Sequence, residues 1–266
     1  MTLSLEEHFG LKDVPFPKAA SENCLLRYPP LLESVERLRF AVSRDSPALL
    51  VAESGCGKST TTRFFARSLD AASYNVLYVC LTTVKPFGFV SQIAAATGLR
   101  PGRFKGQIAA SLIAHLRSLP RRTVLLVDEA HLLPDDSLED LRLLTADDFD
   151  RNSPFALVLT GQPLLRDRLA EPQHYALAQR IGVRLRLRPL NESELPLFLD
   201  KHMKASGARS NPFEPDAVAV IFHHSRGVPR LVQNIALDAL LVAMAAGKKG
   251  VDASSVQQAV VDQEAL

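Results

Sequence analysis

Residues 48–59 read ALLVAESGCGKS, and the fold turns on them. The run from Ala48 to Ala52 is apolar without a break and too short for a helix. Parallel strands covered on both faces have that texture. Gly55 and Gly57 follow, and Lys58-Ser59 opens a helical pattern. A strand, a glycine-bearing loop and a helix start make a site for an anion. The glycines let the chain curl until successive N–H groups point at phosphate oxygens, and the helix N-terminus adds its positive dipole end. Glu53, Ser54, Gly55, Cys56, Gly57, Lys58, Ser59 and Thr60 are the candidate lining. In the GxxxxGK[ST] spacing Lys58 reaches the β- and γ-phosphates of a nucleotide and the Ser59 hydroxyl serves Mg²⁺. Ala52 stands where that pattern has its first glycine; alanine is the smallest change available and tolerates strand geometry.

Four more short apolar runs alternate with helical patterns: Val76 to Leu81, Val124 to Val127, Phe155 to Thr160 and Val183 to Leu187. The last alternates, with Arg184, Arg186 and Arg188 on one side, and reads as an edge strand. Strands separated by helices predict an α/β layer fold with a parallel five-stranded sheet. After Pro189 only helical patterns follow: roughly 192–205 with Asn191 and Glu194 at capping-box spacing, then from Pro215, from Pro229 and from Asp252. The predicted division is 1–189 for the phosphate-binding core with its N-terminal segment and 190–266 for a helical domain.

The chain has 266 residues, 47% apolar and 23% charged, which suits a globular protein that buries its own core. Its net charge of +2 neither demands nor excludes a nucleic acid or membrane partner. Cys24, Cys56 and Cys80 form no disulfide framework and no metal pair, so a reducing cytoplasm is expected. The opening MTLSLEEHFGLKD lacks the pattern of a signal peptide. The apolar stretch 231–246, interrupted by Gln233, Asn234 and Asp238, reads as a buried amphipathic helix, and no membrane partner is expected.

Residues 124–129, VLLVDE, place two acids at the carboxyl end of a strand, 70 positions after Lys58. Ligands bind at that edge of open α/β sheets. Asp128 is the candidate to hold Mg²⁺ and Glu129 to orient and deprotonate an attacking water. The histidines His115, His131, His202, His223 and His224 show no metal-ligand pattern. The tetrad DEAH at 128–131 invites a helicase reading, but that machinery needs two sheet domains and this chain has room for one.

With these motifs the sequence resembles the AAA+ ATPases over nearly its whole length. The resemblance implies a P-loop AAA+ αβα sandwich with a C-terminal helical lid, ATP and Mg²⁺ as cofactors, and a homo-oligomer, ring or helical filament. It places sensor 1 in TGQ at 160–162, with Gln162 first and Thr160 second. It makes Arg180, in AQRI, the arginine offered to a neighbour's γ-phosphate, and Arg230, in GVPR, the sensor 2 residue. A surface salt bridge is the plain alternative for each arginine. HFGLKDVPF at 8–16 and LTGQPLLRDRL at 159–169 look like the group of the secretion ATPase ExeA and the transposon ATPase TniB, with TnsC and IstB looser relatives. That group implies either transposition, with duplex DNA, a transposase and a target-selection protein as partners, or assembly of a secretion channel. The secretion relatives carry a membrane span and a wall-binding domain after the ATPase, whereas these residues stop just past the lid, which favours transposition.

From 82 to 123 there is no Asp or Glu, while Lys85, Arg100, Arg103, Lys105, Arg117, Arg121 and Arg122 fall there. Relatives line a DNA channel from this region. Lys85, Arg103 and Lys105, near helix starts, are the candidate DNA contacts, binding phosphates without reading bases; a solvated basic face is the alternative. Residues 128–150 hold nine acids against one Arg, including Asp147, Asp148 and Asp150, and read as an exposed helix and loop or as the acidic side of a head-to-tail contact. Cys56 in the phosphate loop is read as a spectator rather than a redox switch.

Overall fold

A computed structural model describes residues 4–17, 24, 26–80, 85–100, 102–146 and 153–264. Leu81, Asp147, Asp148 and Asp150 lie outside the described residues. In chain order the elements are α1 (Leu5–Phe9), α2 (Pro29–Ser43), β1 (Ala48–Val51), α3 (Lys58–Ser68), β2 (Tyr74–Val79), α4 (Pro86–Ala96), α5 (Lys105–Ser118) and β3 (Arg122–Val127). There follow α6 (Asp135–Thr145), β4 (Ala156–Gly161), α7 (Pro163–Leu169), α8 (Tyr175–Arg180), β5 (Val183–Arg186), α9 (Glu194–Ala205), α10 (Pro215–Ser225), α11 (Pro229–Ala245) and α12 (Ala253–Glu264). Two compact units emerge: residues 30–54 with 58–187, and residues 1–29, 55–57 and 188–266.

The larger unit is the α/β layer. Its five strands are parallel in the order β2-β3-β4-β1-β5. β1 and β4 are buried at every residue, as their unbroken apolar sequence requires. β5 is an edge strand and alternates buried with exposed, leaving Arg184 and Arg186 outside. The carbonyl of Arg184 accepts a long bond from Arg37 of α2, 3.4 Å. One core joins the strands to α4, α5, α6 and α7 through Leu49, Phe89, Leu112, Leu125, Leu141, Leu159 and Leu165.

The smaller unit is helical, with only an isolated bridge from Phe213 to Val251 among its described residues. The capping box at α9 forms: Asn191 Oδ1 accepts from the Glu194 amide and Glu194 Oε2 from the Asn191 amide, both at 2.9 Å. Arg188 clasps the same carboxylate at 2.7 and 2.8 Å and holds it below the usual carboxylate range. Between α10 and α11, Gly227 has φ +73°, and a Cβ there would stand 1.9 Å from the Leu190 carbonyl oxygen. Only glycine allows that approach. The N-terminal segment, grouped with the core at the sequence level, packs with the helices: Leu5, Leu11 and Phe16 join their core, and the Lys12 amide donates to Ser206 at 2.8 Å.

His202 of α9 is 2% exposed, stacks on Phe16 at 5.1 Å and meets Phe198 at 4.5 Å. Its Nδ1 has no hydrogen-bond partner among the described residues. Burial drives the imidazole down to about 4 from 6.5. The unfolded chain therefore binds the proton first as pH falls. The contribution of neutral His202 is complete above pH 6.5, drains between 6.5 and about 4, and is gone below. The loss is about 3 kcal/mol. Thermal unfolding followed by circular dichroism from pH 8 to pH 4 reads it, and His202→Phe flattens the slope; identical curves for both chains refute this account.

Candidate nucleotide site

The loop after β1 is shaped by two left-handed glycines, Gly55 at φ +82° and Gly57 at +86°. A side chain at either is strained. At Gly55 a Cβ would also press on Val228 and Arg230 at 3.0 Å, and the Arg230 amide donates to the Gly55 carbonyl at 3.3 Å. Ala52 is buried and its φ is not positive, so the missing glycine costs the loop nothing. Its amide extends the ladder to Gly161 at 3.1 Å. Lys58 begins α3, is 6% exposed and donates Nζ to the Ala52 carbonyl at 3.1 Å. Cys56 is buried, while Glu53, Ser54 and Ser59 are exposed and Thr60 partly so.

β3 delivers Asp128 to the same edge, 3% exposed, with its amide bonded to Val79 at 2.8 Å. Its carboxylate gathers donors from four places. Oδ1 accepts from Thr160 Oγ1 at 2.5 Å and from the Glu129 amide at 2.9 Å. Oδ2 accepts from the Tyr78 hydroxyl at 2.8 Å and lies 3.5 Å from Ser59 Oγ. The start of α3, β2, the turn after β3 and β4 thus converge on one carboxyl group. Mg²⁺ takes hard oxygen donors, one or two from protein and the rest from phosphates and water. Ser59 and Asp128 offer that pair, and no three-ligand His, Cys, Asp or Glu cluster exists among the described residues.

Glu129 stands beside it with φ +51°, a left-handed conformation uncommon outside glycine. Its Oε2 is 3.6 Å from His131 Nδ1, which accepts the Gln162 amide at 3.4 Å. That bond assigns the imidazole proton to Nε2. Burial, aided by Lys58 and Arg168, pushes the imidazole below its ordinary value.

Sequence reasoning ranked Gln162 over Thr160. Gln162 stands at the N-cap position of α7, just past the strand, with no side-chain bond to the helix, and Thr160 is the one that touches Asp128. Tyr78 was missed; its phenol, half exposed, is pushed up by desolvation and by Asp128. The one signal was a hydroxyl in an otherwise apolar run. Arg180 ends α8; the Arg142 guanidinium bonded to Glu139 holds that carboxylate below its usual range, and Arg180 adds a smaller pull. Lys85 sits at the N-cap of α4 and Arg103 is exposed before α5. Lys105, also read as a DNA contact, is ion-paired with Asp140 at 2.6 Å. Arg122 pairs with Asp45 at 2.5 Å at the amino end of β3, away from the edge that carries Asp128.

Residues 41–169 match the family model described as AAA domain. General secretion pathway protein A of Aeromonas hydrophila is 30% identical over 249 residues, 91% of this chain. The chain spans 45% of that protein's length. Among solved structures, Cdc6p from Pyrobaculum aerophilum superposes with a TM-score of 0.74 at 18% identity, covering 94% of this chain and 72% of that one. The Aeropyrum pernix ORC1 protein in complex with DNA gives 0.70 at 20% identity, covering 91% and 68%. The Thermotoga maritima RuvB Holliday junction branch migration motor gives 0.62 at 20%, covering 87% and 68%. No helix among the described residues is long and apolar enough to cross a membrane. Sheet order, loop geometry and the match of residues 41–169 to the AAA domain agree on the fold: the chain carries the α/β P-loop fold of the AAA+ structures on which it superposes.

Proposed function

We propose that the chain hydrolyses ATP and, as an ATP-dependent homo-oligomer, holds duplex DNA for a transposase. The observation that carries the first part is the convergence of Ser59, Tyr78 and Thr160 on Asp128, next to Lys58 and Glu129. The loop amides and Lys58 hold the triphosphate. Ser59 and Asp128 would hold Mg²⁺, which would supply positive charge to the phosphates. Glu129 takes a proton from water as its oxygen bonds to the γ-phosphorus and the bond to the bridging oxygen breaks, leaving ADP and phosphate. Thr160 fixes Asp128 for that step. Arg230 in the same chain and Arg180 from a neighbour meet the charge that develops.

The DNA reading is supported by the acid-free stretch 82–123 and by the likeness to a protein solved in complex with DNA. Lys85 and Arg103 are its stronger contacts; Lys105 must first leave Asp140. One observation favours a second reading, service to a secretion channel: the 30% identity to General secretion pathway protein A. Co-sedimentation with duplex DNA, with and without ATP, separates the two. The DNA reading expects ATP-dependent pelleting that weakens steeply with salt. Phosphate release without any DNA association favours the second reading, and no phosphate release rejects the hydrolase.

A further inference from the structure

The turn that carries Glu129 is held by a side chain from another helix. Left-handed backbone at a non-glycine residue is strained and persists where its surroundings over-determine it. After Glu129 the chain makes one 3-10 turn, Ala130–Leu132, and then reaches α6. Arg168 of α7 crosses to this segment. One guanidinium nitrogen, Nη1, donates to the carbonyls of His131 and Leu133, both at 2.8 Å. Its Nη2 donates to Asp135 Oδ1, at the first residue of α6. That same oxygen accepts from His174 Nε2 at 2.9 Å. His174 is 3% exposed and immediately precedes α8, the short helix that ends in Arg180. α8 spans six residues, fewer than two turns, so His174 and Arg180 stand at the two ends of one short helix, about 9 Å apart.

The planar fork of Arg168 therefore joins two elements directly, the segment that follows Glu129 and the start of α6, and reaches the start of α8 through the shared oxygen of Asp135. Lysine cannot reproduce it, because a single ammonium does not present donors on two nitrogens in one plane. We propose that Arg168 is a positioning residue that sets, within one subunit, both the catalytic turn and the arginine offered to the next subunit. This rests on the reading that Glu129 serves the chain's own nucleotide and Arg180 a neighbour's.

The test mixes subunits. A Glu129→Gln subunit supplies only its Arg180, and an Arg180→Ala subunit supplies only its catalytic turn. Mixed, they form some complete interfaces, and ATPase activity returns above that of either alone. His174→Leu cuts the link to α8 and leaves the bonds of Arg168 to the turn. Placed in the Glu129→Gln subunit, it lowers the recovered activity several-fold. Placed in the Arg180→Ala subunit, it leaves that activity within about twofold. Equal effects in the two placements, or none in either, overturn the proposal, since a merely structural role has no such asymmetry. Arg168→Lys in the Glu129→Gln subunit gives the same loss, and circular dichroism confirms that each chain is folded. If the unmodified mixture recovers nothing, the assignment of Arg180 fails first and the proposal falls with it.

Discussion

Lys58→Ala is expected to weaken ATP binding by roughly a hundredfold, the loss of a charge-assisted phosphate bond of about 3 kcal/mol in a partly desolvated site. The side chain is buried and already aimed at the loop, with Nζ on the Ala52 carbonyl. Its ammonium therefore exchanges one acceptor for a better one when phosphate arrives, at little conformational cost. The alanine variant keeps the fold, because that carbonyl belongs to a loop whose shape is set by Gly55 and Gly57. Titration with a fluorescent ATP analogue, alongside circular dichroism, reads both. An unchanged affinity in a folded variant removes the phosphate-site assignment and everything placed around it.

Glu129→Gln acts on a different step. The amide matches the carboxylate in size and cannot accept a proton, so turnover falls by about 10² to 10⁴ while nucleotide binding stays. The backbone at Glu129 is held from both sides: its amide donates to Asp128, and its carbonyl accepts from Leu132 at 2.9 Å. The substitution thus leaves the turn in place. With hydrolysis blocked, the ATP-bound oligomer persists on DNA. Filter binding after dilution measures the release, and a variant that leaves DNA as fast as the unaltered chain contradicts the use of hydrolysis as the release step.

Burial on both faces writes itself as unbroken apolar runs in β1 and β4, and alternation marks β5 as an edge; β2, whose apolar run reads as covered on both faces, lies instead at the opposite edge of the sheet with Tyr78 half exposed. Strand order was not legible from periodicity; it follows from where each crossover returns. The capping box at Asn191 was readable because its chemistry is local in sequence. The packing of Phe16 on His202 was not, since nearly two hundred positions separate them. At the site, Lys58, Ser59 and Asp128 were fixed by residue type and spacing. Thr160 and Gln162 needed the register: Thr160 is still paired with Leu50 inside the sheet, whereas Gln162 has left it. Tyr78 and Arg168 carry no motif and matter only through what the fold brings beside them.

The free edge at β5 has a bearing on solubility. An unpaired strand rim is a template for another molecule's backbone. Here Arg184 and Arg186 project from it, and Arg37 occupies one of its carbonyls. Two copies laid rim to rim would bring guanidinium groups within about 5 Å of one another, a repulsion that discourages cross-molecular sheet growth and fades as salt rises.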